Sequence, residues 1–146
     1  MRNNANHSRR GFTVIELLII CVVIAIIASI ALPNMRYSNK AANEASAISS
    51  MRAIVAAEET YRLNHTPQQY AVLSQLKTAG LIHPALGSGA KSGYTFITFG
   101  IPTAQTYAFI SQPQADRGNR YYYVDQTGVI RVNNGDVASP TSHPVD

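Results

Sequence analysis

The sequence predicts an α+β protein in which one long N-terminal α-helix packs on a small antiparallel β-sheet of about four strands. Two patterns support this fold class. Apolar residues occupy 18 of the 21 positions from Phe12 to Leu32, and a helical repeat continues to about residue 65. Four short β-like runs follow between residues 93 and 133. The single cysteine, Cys21, excludes an internal disulfide framework.

The apolar run is long enough to cross a lipid bilayer. As a helix its 21 residues would extend for about 30 Å. Arg9 and Arg10 directly precede the run, and the residues after it carry few and mixed charges, so the positive-inside bias places the N-terminus in the cytoplasm and everything from Pro33 onward outside. A secretory signal is the competing interpretation, because Ser29 and Ala31 make an acceptable cleavage site after Ala31.

Glu16 is the one charged residue within the apolar run. A carboxylate at the centre of a span costs about 2.5 to 3.5 kcal/mol, and less toward the interface, so its partner matters. No Lys, Arg or His lies between residues 11 and 35. Glu16 either reaches the lipid headgroups or, if the chain is cut after Gly11, pairs with the new α-ammonium group of Phe12 in the same chain or in a neighbouring copy.

The stretch Arg9–Leu18 (RRGFTVIELL), followed by the apolar run and Pro33, resembles the processing site of type IV prepilins and type II secretion pseudopilins. This resemblance implies a pilin-like fold. It also implies that a membrane-bound prepilin peptidase cuts after Gly11 and methylates the amine of Phe12. By the same resemblance, Glu16 is the charge-pairing residue of assembly and Pro33 kinks the helix. The likeness is close over about the first 35 residues.

The resemblance also implies partners and a location. The subunit would cross the inner membrane once, with its N-terminus in the cytoplasm and its head in the periplasm or outside the cell. Its partners would be the prepilin peptidase/methyltransferase, a pilus or secretion assembly platform, and copies of itself in a helical filament. A helix that is apolar all round cannot stay in water, so a subunit drawn from the bilayer must bury that helix against other copies.

The expected function is therefore that of a structural subunit, a pilin, of a type IV pilus-like extracytoplasmic filament. The first alternative is a pseudopilin of a type II secretion system. The Tyr-Pro-Thr-like segment typical of major pseudopilins is only approximated by Thr66–Tyr70, and the two-cysteine C-terminal loop of many major pilins is missing. Two alternatives of other classes are a secreted soluble binding domain behind a signal peptide and a monomeric single-pass membrane protein.

The helix is expected to continue beyond Pro33, because proline disturbs only the turn that precedes it. A stripe with spacings of three and four predicts the side that packs on the sheet: Ala41, Ala45, Ile48, Met51 and Val55. The opposite side is expected to be solvated, with Lys40, Glu44, Arg52 and Glu59.

The remaining elements follow from turn residues and β propensity. A short amphipathic helix is predicted at Tyr70–Ala79, and a loop at Leu81–Ser92. The predicted strands are Tyr94–Phe99, Thr106–Ser111, Arg120–Asp125 and Val129–Asn133. Within the third strand, alternation turns Tyr122 away from Tyr121 and Tyr123.

The expected division of the chain has six parts. They are a cleaved leader (1–11), a membrane and assembly helix (12–32), its amphipathic continuation (33–65), a connecting segment with a short helix (66–92), the antiparallel sheet (93–133) and a flexible tail (134–146).

The charge distribution argues against a nucleic-acid partner. The net charge is +4, but Arg2, Arg9 and Arg10 lie in the expected leader, and the rest of the chain has nine basic against eight acidic residues. No basic face remains that could neutralise a row of phosphates.

No catalytic or metal-binding motif stands out. The sequence has no nucleophile elbow, HExxH or glycine-rich phosphate loop, so no enzyme, catalytic residue or cofactor is expected. His65, His83 and His143 are far apart and adjoin Thr or Pro, which is typical of surface loops. Asp125 begins a turn sequence rather than a calcium loop, so no metal is expected.

Overall fold

The computed structural model of the chain describes residues 11–145, apart from the side chain of Pro33. The helices are α1 (Val14–Asn64), α2 (Leu73–Thr78) and α3 (Pro84–Gly87). The strands are β1 (Ala90–Lys91), β2 (Tyr94–Thr98), β3 (Ala108–Pro113), β4 (Arg120–Asp125), β5 (Arg131–Asn134) and β6 (His143–Pro144). The chain forms two compact units, which divide between Tyr37 and Ser38.

The first unit contains the apolar part of α1. Its large apolar side chains are exposed on every side of the helix, from Phe12 to Leu32. Among the described residues, α1 is the one helix long and apolar enough to cross a membrane. The helix continues through Pro33, and the kink at that residue stays a prediction.

The second unit has its core between one face of α1 and one face of the sheet. The buried residues of α1 recur every three or four positions, which places them on one face: Ala47, Met51, Ile54, Ala57 and Tyr61. They share a hydrophobic cluster with Phe96, Phe109 and Tyr122 of the sheet. The six strands lie in the order of the sequence, and each pairs antiparallel with the next. The α+β architecture predicted from the sequence is confirmed.

The buried face of α1 is displaced from the predicted stripe. Met51 is buried as expected, but Ala41 and Ala45 are exposed. Ile48 and Val55 are only partly buried. The reason is that small residues surround this part of the helix on all sides, so hydrophobic spacing does not determine which face meets the sheet.

The side of α1 that was expected to be solvated also contacts the loop between β3 and β4. The Glu44 carboxylate accepts a hydrogen bond from the backbone N–H of Asn119 at 2.9 Å and lies 3.6 Å from the Arg120 guanidinium. Lys40 lies 3.6 Å from Asp116. These contacts attach the β3–β4 loop to the helix, whereas Arg52 and Glu59 are exposed.

The sheet has six strands rather than about four. Each of the four predicted runs overlaps one strand, although β3 and β5 extend past the predicted ends to Pro113 and Asn134. β1 and β6 are additional strands of two residues each. Strands of this length leave no alternating pattern in the sequence. β6 lies within the expected flexible tail, where Ala138 is also buried against Ile110 and Tyr123.

The alternation predicted for the three tyrosines of β4 is confirmed. Tyr122 is buried in the cluster that includes α1. Tyr123 belongs to a second cluster, against which Tyr121 packs. Consequently the tyrosine triplet serves both faces of the sheet, and most of its surface is used in packing.

Candidate processing and assembly site

The first turn of α1 is closed by a reciprocal pair of side chains. The Glu16 Oε2 atom accepts hydrogen bonds from the backbone N–H of Thr13 at 2.9 Å and from its hydroxyl at 2.8 Å. In return, the Thr13 hydroxyl oxygen accepts from the backbone N–H of Glu16 at 3.3 Å. This arrangement is a capping box, in which Thr13 is the N-cap and Glu16 the third helical residue. It directs the Glu16 carboxylate back toward the start of the helix.

Gly11 and Phe12 lie immediately before this cap, outside regular secondary structure. Phe12 is 74% exposed. A Cβ atom placed on Gly11 would have no neighbouring atom within 4 Å among residues 11–145. The bond between these two residues is therefore open to an enzyme.

Glu16 has neutral hydrogen-bond donors and no cation in the described part of the chain. The salt bridges there involve Lys40, Arg62 and Arg120, all in the second unit. Hydrogen bonds from Thr13 satisfy part of the carboxylate but leave its charge unmatched. A cation arriving beside Phe12 would meet a carboxylate that already faces it.

Three of the four predicted site residues lie at the N-terminal end of α1, and the fourth lies apart from them. Gly11, Phe12 and Glu16 lie at the start of α1, whereas Pro33 lies in its interior. Sequence reasoning missed Thr13. The pattern Thr-x-x-Glu before an apolar run was the signal that could have found it.

A second carboxylate, Glu58, is also absent from the sequence prediction. Its side chain lies on the buried face of α1 and is 0% exposed. Burial raises the pKa of Glu58 to about 7, and a hydrogen bond from the backbone N–H of Ala71 acts in the opposite direction. Since a charged residue interrupts an apolar stripe, hydrophobic periodicity gives no sign of its burial.

The other polar residues singled out in the sequence have local structural contacts. Asp125 accepts a hydrogen bond from the backbone N–H of Thr127 at 2.9 Å, as expected for a turn. His65 stacks on Tyr61, and His83 accepts from the backbone N–H of Ala85 at the start of α3. Within residues 11–145, no group of three His, Cys, Asp or Glu side chains could hold a metal ion. The expectation that the protein has no metal or cofactor stays a prediction.

Comparison with known proteins relates this site to a family. Residues 6–32 match the family model described as the prokaryotic N-terminal methylation motif. The chain is 30% identical over 103 residues to the type IV wide pilus major component PilA4 of Thermus thermophilus, an alignment that covers 68% of this chain and 69% of that protein. The chain belongs to the family of type IV pilins and type II secretion pseudopilins.

Other members of the family are also similar to this pilin-like chain. It is 30% identical over 92 residues to the type II secretion system core protein G of Escherichia coli K12, covering 62% of this chain and 63% of that protein. It is 26% identical over 92 residues to core protein G of Pectobacterium carotovorum. The matched region of this pilin-like chain spans about three fifths of the length of these two relatives.

The methylation motif contains the part of the candidate site that lies at the start of α1. Gly11, Phe12, Thr13 and Glu16 all lie within the matched residues. The capping box therefore coincides with the segment that defines the family at its N-terminus.

Proposed function

We propose that the chain is a pilin, the structural subunit of a type IV pilus-like filament assembled outside the cytoplasm. The observation that carries this proposal is the exposure of the first part of α1. Fourteen large apolar side chains from Phe12 to Leu32 are exposed. Their burial is worth on the order of 20 kcal/mol or more, which exceeds the total stability of about 5 to 15 kcal/mol of a typical domain. Such a helix needs a bilayer before assembly and neighbouring helices afterwards.

Processing converts the membrane form into the assembling form. A prepilin peptidase in the inner membrane cuts after Gly11 and methylates Phe12. The exposed Gly11–Phe12 bond and the match to the methylation motif support this step. Arg9 and Arg10 hold the N-terminus in the cytoplasm, and the second unit lies on the far side of the membrane.

The cut also creates the cation that Glu16 lacks. The new ammonium group on Phe12 lies one helical turn from a carboxylate that the capping box turns toward the start of the helix. Each charge is costly in an apolar bundle unless it is matched. Pairing between Glu16 of one subunit and the Phe12 ammonium group of the next would fix the register in which subunits are added to the filament at an assembly platform.

The role is structural rather than enzymatic. The relatives are named as a pilus component and as secretion-system core proteins. Several polar groups in the second unit make turn and loop contacts, as Glu44 and Asp125 do. These contacts support a folded head that is carried by α1.

The mature N-terminus tests the processing step. We expect mass spectrometry of the purified protein to find a chain that begins with N-methylated Phe12. A chain beginning at Leu32 would instead identify a secretory signal. A chain that keeps Met1 would identify a plain membrane anchor. Either of these results would contradict the proposal.

A pseudopilin of a type II secretion system is a second candidate function. It is favoured by the similarity to core protein G of two bacteria. The location of the filament separates the two functions. We expect antibodies against the second unit to label long filaments on the cell surface. Labelling confined to the cell envelope, with loss of protein secretion when the gene is deleted, would favour the pseudopilin.

A further inference from the structure

Glu58 lies under the segment that connects α1 to α2, residues 65–72. Its Oε2 atom accepts a hydrogen bond from the backbone N–H of Ala71 at 2.9 Å. Both Glu58 and Ala71 are completely buried. The other carboxyl oxygen, Oε1, has no hydrogen-bond partner among the described residues. A single hydrogen bond thus compensates for the hydration that the carboxyl group loses on burial.

The connecting segment has few attachments. The side chains from His65 to Gln69 are exposed. At its start the segment contacts α1 through His65, which stacks on Tyr61 and forms a hydrogen bond with the Tyr61 carbonyl oxygen at 2.9 Å. At its other end, the backbone N–H of Tyr70 donates to the carbonyl oxygen of Thr103 at 2.9 Å. Ala71 also packs in the hydrophobic cluster that contains the buried face of α1. Among the described residues, the Glu58–Ala71 bond is the buried hydrogen bond between the segment and the helix.

No salt bridge among the described residues compensates the charge of Glu58. Arg62, one helical turn further along α1, has a buried Nε atom that also lacks a hydrogen-bond partner there. Glu58 lies close enough to Tyr107, the residue before β3, to raise the pKa of its hydroxyl. The other titratable groups that act on Tyr107 are Tyr70 in the connecting segment, Asp125 at the end of β4 and Glu59 on α1. The Arg62 guanidinium donates a hydrogen bond to the Glu59 carboxylate at 2.9 Å. Its central carbon lies 5.5 Å from the centre of the Tyr70 ring.

Two of these groups carry the same charge as an ionised Glu58. Glu59 and Asp125 are carboxylates, and no salt bridge in the described part of the chain involves Glu58. Tyr107 is neutral, since burial and then the nearby Glu58 raise its pKa. An ionised Glu58 in the closed structure would therefore be a buried charge with a single hydrogen bond, which is strongly unfavourable.

We propose that Glu58 is a pH-dependent latch, which in its protonated form holds the connecting segment closed over α1 and on ionisation lets that segment open locally. Opening admits water to the carboxylate without unfolding the sheet. All residues involved belong to the second unit, so this inference is independent of the proposed function.

The direction of the pH effect follows from the two states of the carboxyl group. Its pKa rises from 4.5 to about 7 in the closed structure. The closed form therefore holds its proton at pH values where the open form has already lost it. Closure is favoured fully below about pH 4.5, is weakened as the pH rises toward 7, and changes little above that.

Hydrogen exchange on the detergent-solubilised full chain tests the latch. We expect the protection factor of the Ala71 amide, corrected for the intrinsic exchange rate at each pH, to fall by one to two orders of magnitude between pH 4.5 and 7.5. The amides of β3 and β4 should keep their protection over this range. Constant protection of Ala71 would overturn the proposal, and so would an equal loss throughout the sheet.

Two variants distinguish Glu58 from its neighbour. Glu58→Gln keeps an acceptor for the Ala71 amide but cannot ionise, so its protection at Ala71 should be independent of pH. Glu59→Gln removes an exposed carboxylate one position away and should keep the pH dependence of the wild type. The proposal would be overturned if protection of the Ala71 amide still depended on pH in Glu58→Gln. It would also be overturned if that dependence were lost in Glu59→Gln.

Infrared spectroscopy tests the titration of Glu58 in the wild type alone, so it can be used even if the Glu58→Gln variant fails to fold. At pH 6 the proposal requires the C=O stretching band of a protonated, buried carboxyl group, which should disappear with a midpoint near pH 7. The absence of that band at pH 6 would overturn the proposal.

Discussion

Replacing Phe109 with alanine is expected to lower the free energy of unfolding of the second unit by about 3 to 5 kcal/mol. Phe109 lies on β3 with its side chain 0% exposed, and its ring centre is 5.6 Å from that of Tyr107. Truncation would remove both the transfer free energy of the ring and its contacts with the surrounding core. The loss is a large part of the stability of an ordinary domain, about 5 to 15 kcal/mol.

Denaturant unfolding of the detergent-solubilised chain, followed by tyrosine fluorescence, measures this effect. The matched control is Phe99→Ala, since Phe99 follows β2 directly and is 64% exposed. That variant should change stability by less than about 0.5 kcal/mol. Similar losses in the two variants would contradict the assignment of the core to the α1-facing side of the sheet.

Replacing Glu16 with alanine is expected to abolish filaments while processing continues. The variant leaves the new ammonium group of Phe12 without a counter-charge in an apolar bundle. Removing one partner of a buried ion pair costs about 3 to 5 kcal/mol, which corresponds to a loss of more than 100-fold in the association of each subunit. Filaments sheared from the cells and quantified by immunoblot measure assembly, and mass spectrometry checks for methylated Phe12.

Thr13→Ala is the control for this experiment. It removes the two hydrogen bonds made by the Thr13 hydroxyl and keeps both the carboxylate and the bond to it from the backbone N–H of residue 13. It should therefore cost only about 1 kcal/mol of helix stability. Filaments should persist. Equal defects in both variants would show that Glu16 acts through the helix cap, and normal filaments in Glu16→Ala would contradict charge pairing altogether.

Features with a strong local pattern were predictable from the sequence. The bounds predicted for Arg120–Asp125 are those of β4, because β-branched and aromatic residues there are enclosed by clear turns. The long helix follows from its apolar run and the repeat beyond it. Which face of α1 packs on the sheet was not predictable in the same way. Exposed Ala41 and buried Ala47 are identical side chains, and their different surroundings come from the sheet.

The candidate site shows the same limit. The resemblance pointed to Gly11, Phe12 and Glu16, while the Thr13 cap was available from a four-residue pattern. The burial of Glu58 could not be predicted from the residues next to it in the sequence. Its burial depends on Ala71, thirteen residues later, and on Tyr107 before β3, so only the folded arrangement reveals it.

The two outermost strands of the sheet, β1 and β6, each have only two residues. A long open edge presents unpaired N–H and C=O groups on which another chain can add a strand, which is a route to aggregation. Edges this short give little template, and Pro144 in β6 has no N–H to donate. In the proposed filament, heads held close together would thereby have little edge on which to add strands to one another, and self-association would be left to α1.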